Sequence, residues 1–265
     1  MKNVPGPNAA FTLIELLVVM GLIAMLATCS LAALARTRPQ AQRIACSNNL
    51  KQVGIAFQSW ANSHNGNTPM NPGGIPAGDA GGASGVMWDA SYFYHVFRSM
   101  SNELATPRIL FCPAEMDWTV KYAATTFSST VPPGASGQIP FTSNTNVSYF
   151  LGWDARETMP QMFLAGDHSI GVGTVGSTAP AINPYRNKAV ALNTNYQAAA
   201  WVDGSQHQSQ GNIGLADGSV KNASISALRS AVSNSGDVFH AQGPGVLPAG
   251  VNRLLFPGCP DFPSS

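Results

Sequence analysis

The sequence predicts an α+β fold: a long N-terminal helix packed on a small antiparallel sheet with long loops. Three observations carry that reading. A helix-compatible stretch runs from Phe11 to His64. Short apolar runs of strand length recur after residue 107. Between them the chain is dense in turn formers, with 26 Gly and 19 Pro in 265 residues.

Composition narrows the classes of function. Charged residues make up 10%, against about 25% in typical globular domains. The net charge is +1, so neither a basic nucleic-acid footprint nor an acidic tail is present. The polar surface must come from Asn, Gln, Ser and Thr, which suits secreted or assembled proteins.

The first ten residues, MKNVPGPNAA, carry Lys2 and two prolines that keep them from forming a helix. From Leu13 to Ala35 the only charge is Glu15. Those residues make roughly 35 Å of helix, enough to cross an apolar bilayer core of about 30 Å. A carboxylate within such a span costs about 2.5–3.5 kcal/mol on insertion scales. Neither a discarded signal peptide nor a plain anchor gives it a purpose. A cut between Ala10 and Phe11 does. It makes Glu15 the fifth residue and creates an α-amine, one helical turn away or on a neighbouring subunit, that offsets the charge.

The string FTLIELLVV, residues 11–19, resembles the N-terminus of type IV pilins and type II secretion pseudopilins. The resemblance implies a leader at 1–10, cleavage after Ala10 and methylation of Phe11 by a prepilin peptidase. It also implies a membrane-spanning half-helix at 11–35, an amphipathic half at 36–66 and a globular pilin-like domain at 67–265. Ala10 stands where the family usually has Gly. The implied partners are the peptidase, other pilin or pseudopilin subunits and an inner-membrane assembly platform, with Glu15 setting assembly. Arg36, Arg38, Arg43 and Lys51 follow the span, so the positive-inside count alone would keep the domain in the cytoplasm. The prepilin-type route implies a periplasmic domain instead.

Beyond the span, Ile44, Leu50, Val53, Phe57 and Trp60 recur at 3–4 residue spacing and predict one buried face. Pro39 predicts a kink or break, and Gly66 a stop. Residues 67–87 read as loop and 89–104 as a short helix. Residues 108–113, 147–153 and 161–167 read as strands, and 123–146 and 168–210 as loops. GNIGLADGSVKNAS, from 211, reads as a hairpin turning at Asp217-Gly218 through a type I′ turn. Residues 224–233 predict a helix, and the tail from 241 a loop.

His207 stands before nine residues and then Asp217-Gly218. With CSNNLKQVGIAFQSWANSHNG (46–66), LFCP (110–113) and LAGD (164–167), this resembles the His-x9-Asp-Gly signature of a large prepilin-like family, to which we attach no activity. From the residues alone, Asp217-Gly218 serves as a turn, and His207 hydrogen-bonds into the hairpin or its loop. Asp167, Asp203 and Asp217 are candidates for calcium, though no EF-hand spacing accompanies them. No other metal or cofactor is expected. HExxH, P-loop and GxSxG motifs are missing, so no enzyme is expected.

In an oxidising compartment Cys46 and Cys112 are the favoured disulfide, because the strand ending at Cys112 should pack on the helix. Cys112–Cys259 is the alternative, with Cys29 free in the membrane segment. Four reduced thiols would accompany a cytoplasmic domain. A second function class is a tethered binding domain that presents Trp88, Trp118, Trp153 or Trp201 to carbohydrate.

Overall fold

The computed structural model describes residues 12–70, 93–115, 122–130, 136–186, 188–192, 194–204, 206–236 and 252–257, with side chains at 29–36 and 194–195 left undescribed. The described chain falls into two units, one up to Ala41 and one from Gln42 onward.

Helix α1 spans Leu13–Ser63, and it is assigned as helix without interruption through Pro39, where a kink or break was expected. It ends where Asn65 and Gly66 take positive φ and the Gly66 amide donates to the Ala61 carbonyl at 2.8 Å, a left-handed helix stop. In the first unit the apolar side chains from Leu13 to Leu26 are exposed. Among the described residues no helix is long and apolar enough to cross a membrane. The described side chains of the expected span cover only its first part, 12–28.

In the second unit α1 buries Cys46, Leu50, Val53, Phe57 and Trp60 at 4, 3, 4 and 3 residue steps. Each large apolar side chain on that stripe contributes about 1.5–3 kcal/mol. Ile44 was expected there but is 63% exposed. It lies two residues before Cys46, about 200° round the helix, on the far side. Cys46 holds the place on the stripe.

Two short helices follow, α2 (Phe93–Ser99) and α3 (Ser101–Leu104), where one was expected. The strand expected at 108–113 is instead a 3₁₀ helix, Pro107–Leu110, running into a turn at Cys112. Pro107 stands at its first position, and the Thr106 side chain accepts from the Arg108 amide at 3.4 Å. Proline's fixed φ and missing N–H favour that start over a strand.

The main sheet has six antiparallel strands in the order β4-β8-β1-β2-β6-β7. These are β1 (Tyr149–Gly152), β2 (Phe163–Asp167), β4 (Lys188–Leu192), β6 (Gly211–Leu215), β7 (Val220–Ala223) and β8 (Asn252–Phe256). A second sheet pairs β3 (Ile170–Val172) with β5 (Ala199–Trp201). The expected strands at 147–153 and 161–167 and the hairpin at 211–223 are present. Strands β3, β4 and β5 lie in a segment read as loop, and β8 in the Gly- and Pro-rich tail. They are three to five residues long, too short for alternation to signal.

Alternate residues of β1 and β8 belong to different cores. Tyr149, Leu151 and Leu255 pack with α1 and α2, whereas Phe150, Leu254 and Phe256 pack with Trp201 and helix α4 (Ile225–Ser233). The sheet is therefore covered on both faces, which makes three layers. Ser224 caps α4 by accepting from the Ala227 amide at 3.3 Å.

Candidate functional site

Four stretches of chain meet on the α1 side of the sheet. Cys46 comes from the buried stripe of α1, Cys112 from the turn after the 3₁₀ helix, Asp167 from the end of β2 and His207 from the loop entering β6. One ligand-type atom from each lies within 4.8 Å of every other. Cys46, Cys112 and Asp167 are 0% exposed, and His207 9%.

The contacts are specific. The Cys46 thiol donates to Asp167 Oδ1 at 3.0 Å, and the Tyr149 hydroxyl lies 3.3 Å from Cys46 Sγ. Cys112 Sγ is 3.4 Å from His207 Nε2, which is 3.4 Å from Asp167 Oδ2. Asp167 Oδ2 accepts from the Asn212 amide at 2.6 Å and from Asn212 Nδ2 at 3.1 Å. The Ala114 amide donates to Cys112 Sγ at 3.4 Å. Sheet register explains part of this: Tyr149 and Asp167 are direct partners across β1 and β2, so both side chains face α1.

Burial and mutual contact set the protonation equilibria. Burial first, then Cys112 and Asp167, push the Cys46 thiol well above its ordinary value. Burial also lifts Cys112, but hydrogen bonds from Cys46 and His207 outweigh it and hold this thiol low. Burial raises the Asp167 carboxyl against the opposing pull of His207, the Cys46 thiol and the Asn212 amide. Burial disfavours the His207 cation, yet Cys112 and Asp167 overcome that and raise it.

A second buried polar group adjoins the first. His168 Nε2 is 2.9 Å from Glu115 Oε2, and Gln206 Nε2 donates to the Ser148 carbonyl at 2.8 Å and to Glu115 Oε2 at 3.4 Å. Three short strings are split between the groups. Cys112 and Glu115 share one turn, with the Glu115 amide donating to the Cys112 carbonyl at 3.0 Å. Asp167-His168 and Gln206-His207 each send one side chain to either group.

The sequence-derived candidates disperse accordingly. The structure makes no Cys46–Cys112 disulfide: both are buried free thiols, side by side within the four-residue group. Cys29 has no described side chain, and Cys259 lies outside the described residues. The calcium candidates do not come together. Asp203 is exposed and accepts from Gly204 and Ser209, and Asp217 is exposed in the β6–β7 turn. Asp167 sits between two thiols, a soft donor set foreign to calcium.

His207 and Asp217-Gly218 do separate jobs despite their spacing. His207 joins the buried group rather than the hairpin. Gly218 has φ +81°, and its amide donates to the Leu215 carbonyl at 2.9 Å. Asp217 lacks the positive φ of a type I′ turn, so the loop is the three-residue kind closed by one left-handed glycine. Gly218 is pressed against α1, since a Cβ on Gly54 would meet Gly218 Cα at 3.3 Å.

Trp201 is fully buried, with its ring over Gly211, so it presents no surface to a sugar. Trp153 is partly buried, and Trp88 and Trp118 lie outside the described residues.

At the N-terminus, Ala10 and Phe11 lie outside the described residues. Thr12 and Glu15 form a capping box. Glu15 Oε2 accepts from the Thr12 amide at 3.1 Å and from its hydroxyl at 3.0 Å, and the Glu15 amide donates to Thr12 Oγ1 at 3.3 Å. The signal for it, Thr-x-x-Glu before an apolar run, is legible in TLIE. Glu15 thus has a local role besides any pairing with an amine.

Residues 7–28 match the prokaryotic N-terminal methylation motif. This supports a type IV pilin-like protein. No curated protein and no solved structure matches the chain. The motif covers residues 7–28, including the start of α1, whereas the buried Cys-Cys-Asp-His group belongs to the second unit. Each string singled out in the sequence contributes one member of that group. Cys46 opens the 46–66 string, Cys112 lies in LFCP, Asp167 ends LAGD and His207 begins the nine-residue spacing.

Proposed function

We propose that this chain is a structural subunit of a type IV pilus or type II secretion pseudopilus. A prepilin peptidase cuts it between Ala10 and Phe11 and methylates the new amine. Residues 11–35 anchor it in the inner membrane, with the globular domain in the periplasm, until an assembly platform adds it to other subunits. No catalysis is assigned to it.

The observation that supports this reading is the methylation motif at 7–28 heading a helix whose apolar side chains are bare in the single chain. Leu13, Ile14, Leu17 and Leu26 are 81%, 70%, 64% and 69% exposed. Such a surface is stable only in lipid or against other apolar helices. Glu15 serves assembly in this reading, facing the α-amine of Phe11 on its own or a neighbouring subunit.

Mass spectrometry of the mature N-terminus in the native host tests it. N-methyl-Phe11 is expected. A mature chain starting near Cys29 or Ala33, or one retaining Met1, would overturn it.

A further inference from the structure

We propose that Cys46, Cys112, Asp167 and His207 bind a thiophilic divalent metal ion of the zinc class, in a closed tetrahedral site that fastens α1 to the sheet. The inference is independent of the filament reading, because it rests only on the globular unit.

The donor set selects the ion. Two sulfurs, one imidazole nitrogen and one carboxylate oxygen suit zinc and exclude the oxygen-seeking calcium and magnesium. Four protein ligands with no open position mark a structural site rather than a catalytic one.

The spacing fits as well. Tetrahedral bonds of about 2.0–2.3 Å hold their ligand atoms about 3.3–3.8 Å apart. Cys112 Sγ to His207 Nε2 and His207 Nε2 to Asp167 Oδ2 are each 3.4 Å. Cys46 Sγ lies 3.0 Å from the other carboxylate oxygen, Oδ1, a hydrogen bond that would be given up when metal replaces the thiol proton and Asp167 coordinates through Oδ2.

The surroundings match a metal–thiolate site too. Metal binding releases the two thiol protons to solvent and leaves two thiolates, a carboxylate and a neutral imidazole around a dication, a net charge of about −1. Donors face that charge. The Tyr149 hydroxyl reaches Cys46 Sγ, the Ala114 amide reaches Cys112 Sγ, and Asn212 gives both its N–H groups to Asp167. Without a cation, two thiols, a carboxyl and an imidazole are packed together out of water, an expensive arrangement.

The ligands span the fold from Cys46 to His207, so the ion would close long loops and fix the helix against the sheet. The competing chemistry is oxidation of Cys46 and Cys112 to a disulfide, which removes both sulfurs as ligands.

The test uses the full chain purified in detergent without chelator. Elemental analysis should find about one zinc per chain. After chelation under reductant, cobalt(II) should restore one equivalent of metal with the visible bands of tetrahedral cobalt–thiolate. Cys112→Ser and Asp167→Asn should weaken binding at least tenfold. Should those variants fail to fold, His207→Cys keeps a fourth ligand and should bind cobalt with stronger sulfur-to-metal absorption. Reduced, folded protein that binds neither metal overturns the proposal. So does a native chain lighter by two hydrogens, with Cys46 joined to Cys112 and no metal taken up after reduction.

Discussion

Gly54 near the C-terminal end of α1 and Gly218 at the tip of the β6–β7 turn touch backbone to backbone. A Cβ added to Gly54 would lie 3.3 Å from Gly218 Cα and 3.8 Å from its carbonyl oxygen. A glycine inside a helix costs about 1 kcal/mol relative to alanine, and this contact explains the glycine at position 54.

Gly54→Ala should therefore fail to give the stabilisation of about 1 kcal/mol that an exposed helix site would show. Gly54→Val should lose about 1–3 kcal/mol through overpacking. Chemical denaturation of the full chain in detergent measures both. A clear gain for Gly54→Ala would show that the two backbones are not held together.

Asp217 should make a small, pH-dependent contribution. Its carboxylate accepts from the Ser219 amide at 2.8 Å, and Ser219 and Lys221 hold its pKa below the ordinary 3.8 despite slight burial. A lowered carboxyl stabilises the fold above the unfolded value and loses that effect as pH falls through the folded one. Wild type should thus melt above Asp217→Asn near neutral pH, and the gap should close below pH 3.8. A gap that stays constant with pH would place the effect elsewhere.

Removing Glu115 should be costly. It is 1% exposed and faces His168 and Gln206. Leaving a buried polar partner without its hydrogen bond typically costs about 1–3 kcal/mol, more where a charge is involved. Glu115→Ala should lose about that much, and Glu115→Gln, which keeps an acceptor for both neighbours, should lose less. Equal losses would count against the hydrogen bonds as the cause.

Thr12 and Glu15 separate capping from assembly. Thr12→Ala should cost about 1 kcal/mol at the end of α1 and leave filaments intact. Glu15→Ala loses the same capping contact, yet it should leave the protein in the membrane and abolish its incorporation into filaments. Immunoblots of membrane and sheared-filament fractions compare the two. Normal filaments from Glu15→Ala would sink the assembly role.

Much of the fold was readable because its signals are local. The α1 stripe repeats every three to four residues, and Asp217-Gly218 turns a hairpin between alternating arms. Elsewhere one local signal opposes another. Pro107 turned an apolar run into a 3₁₀ helix, and Ile44 shared the hydropathy of the stripe but not its phase. Strand β8 looked like tail because five residues, NRLLF, carry no period of their own. They become a strand by pairing with β1 and β4.

The sequence by itself determined the α+β class, the methylation motif and the charge inside the apolar run, since each is written in contiguous residues. Tertiary structure alone decided where the chemistry sits. Helix phase turns Cys46 inward, strand register sets Tyr149 opposite Asp167, and a turn splits Cys112 from Glu115. Spacing along the chain suggested that His207 works with Asp217. Folding pairs it instead with two thiols and Asp167, because contacts between distant segments depend on packing and register, which no spacing encodes.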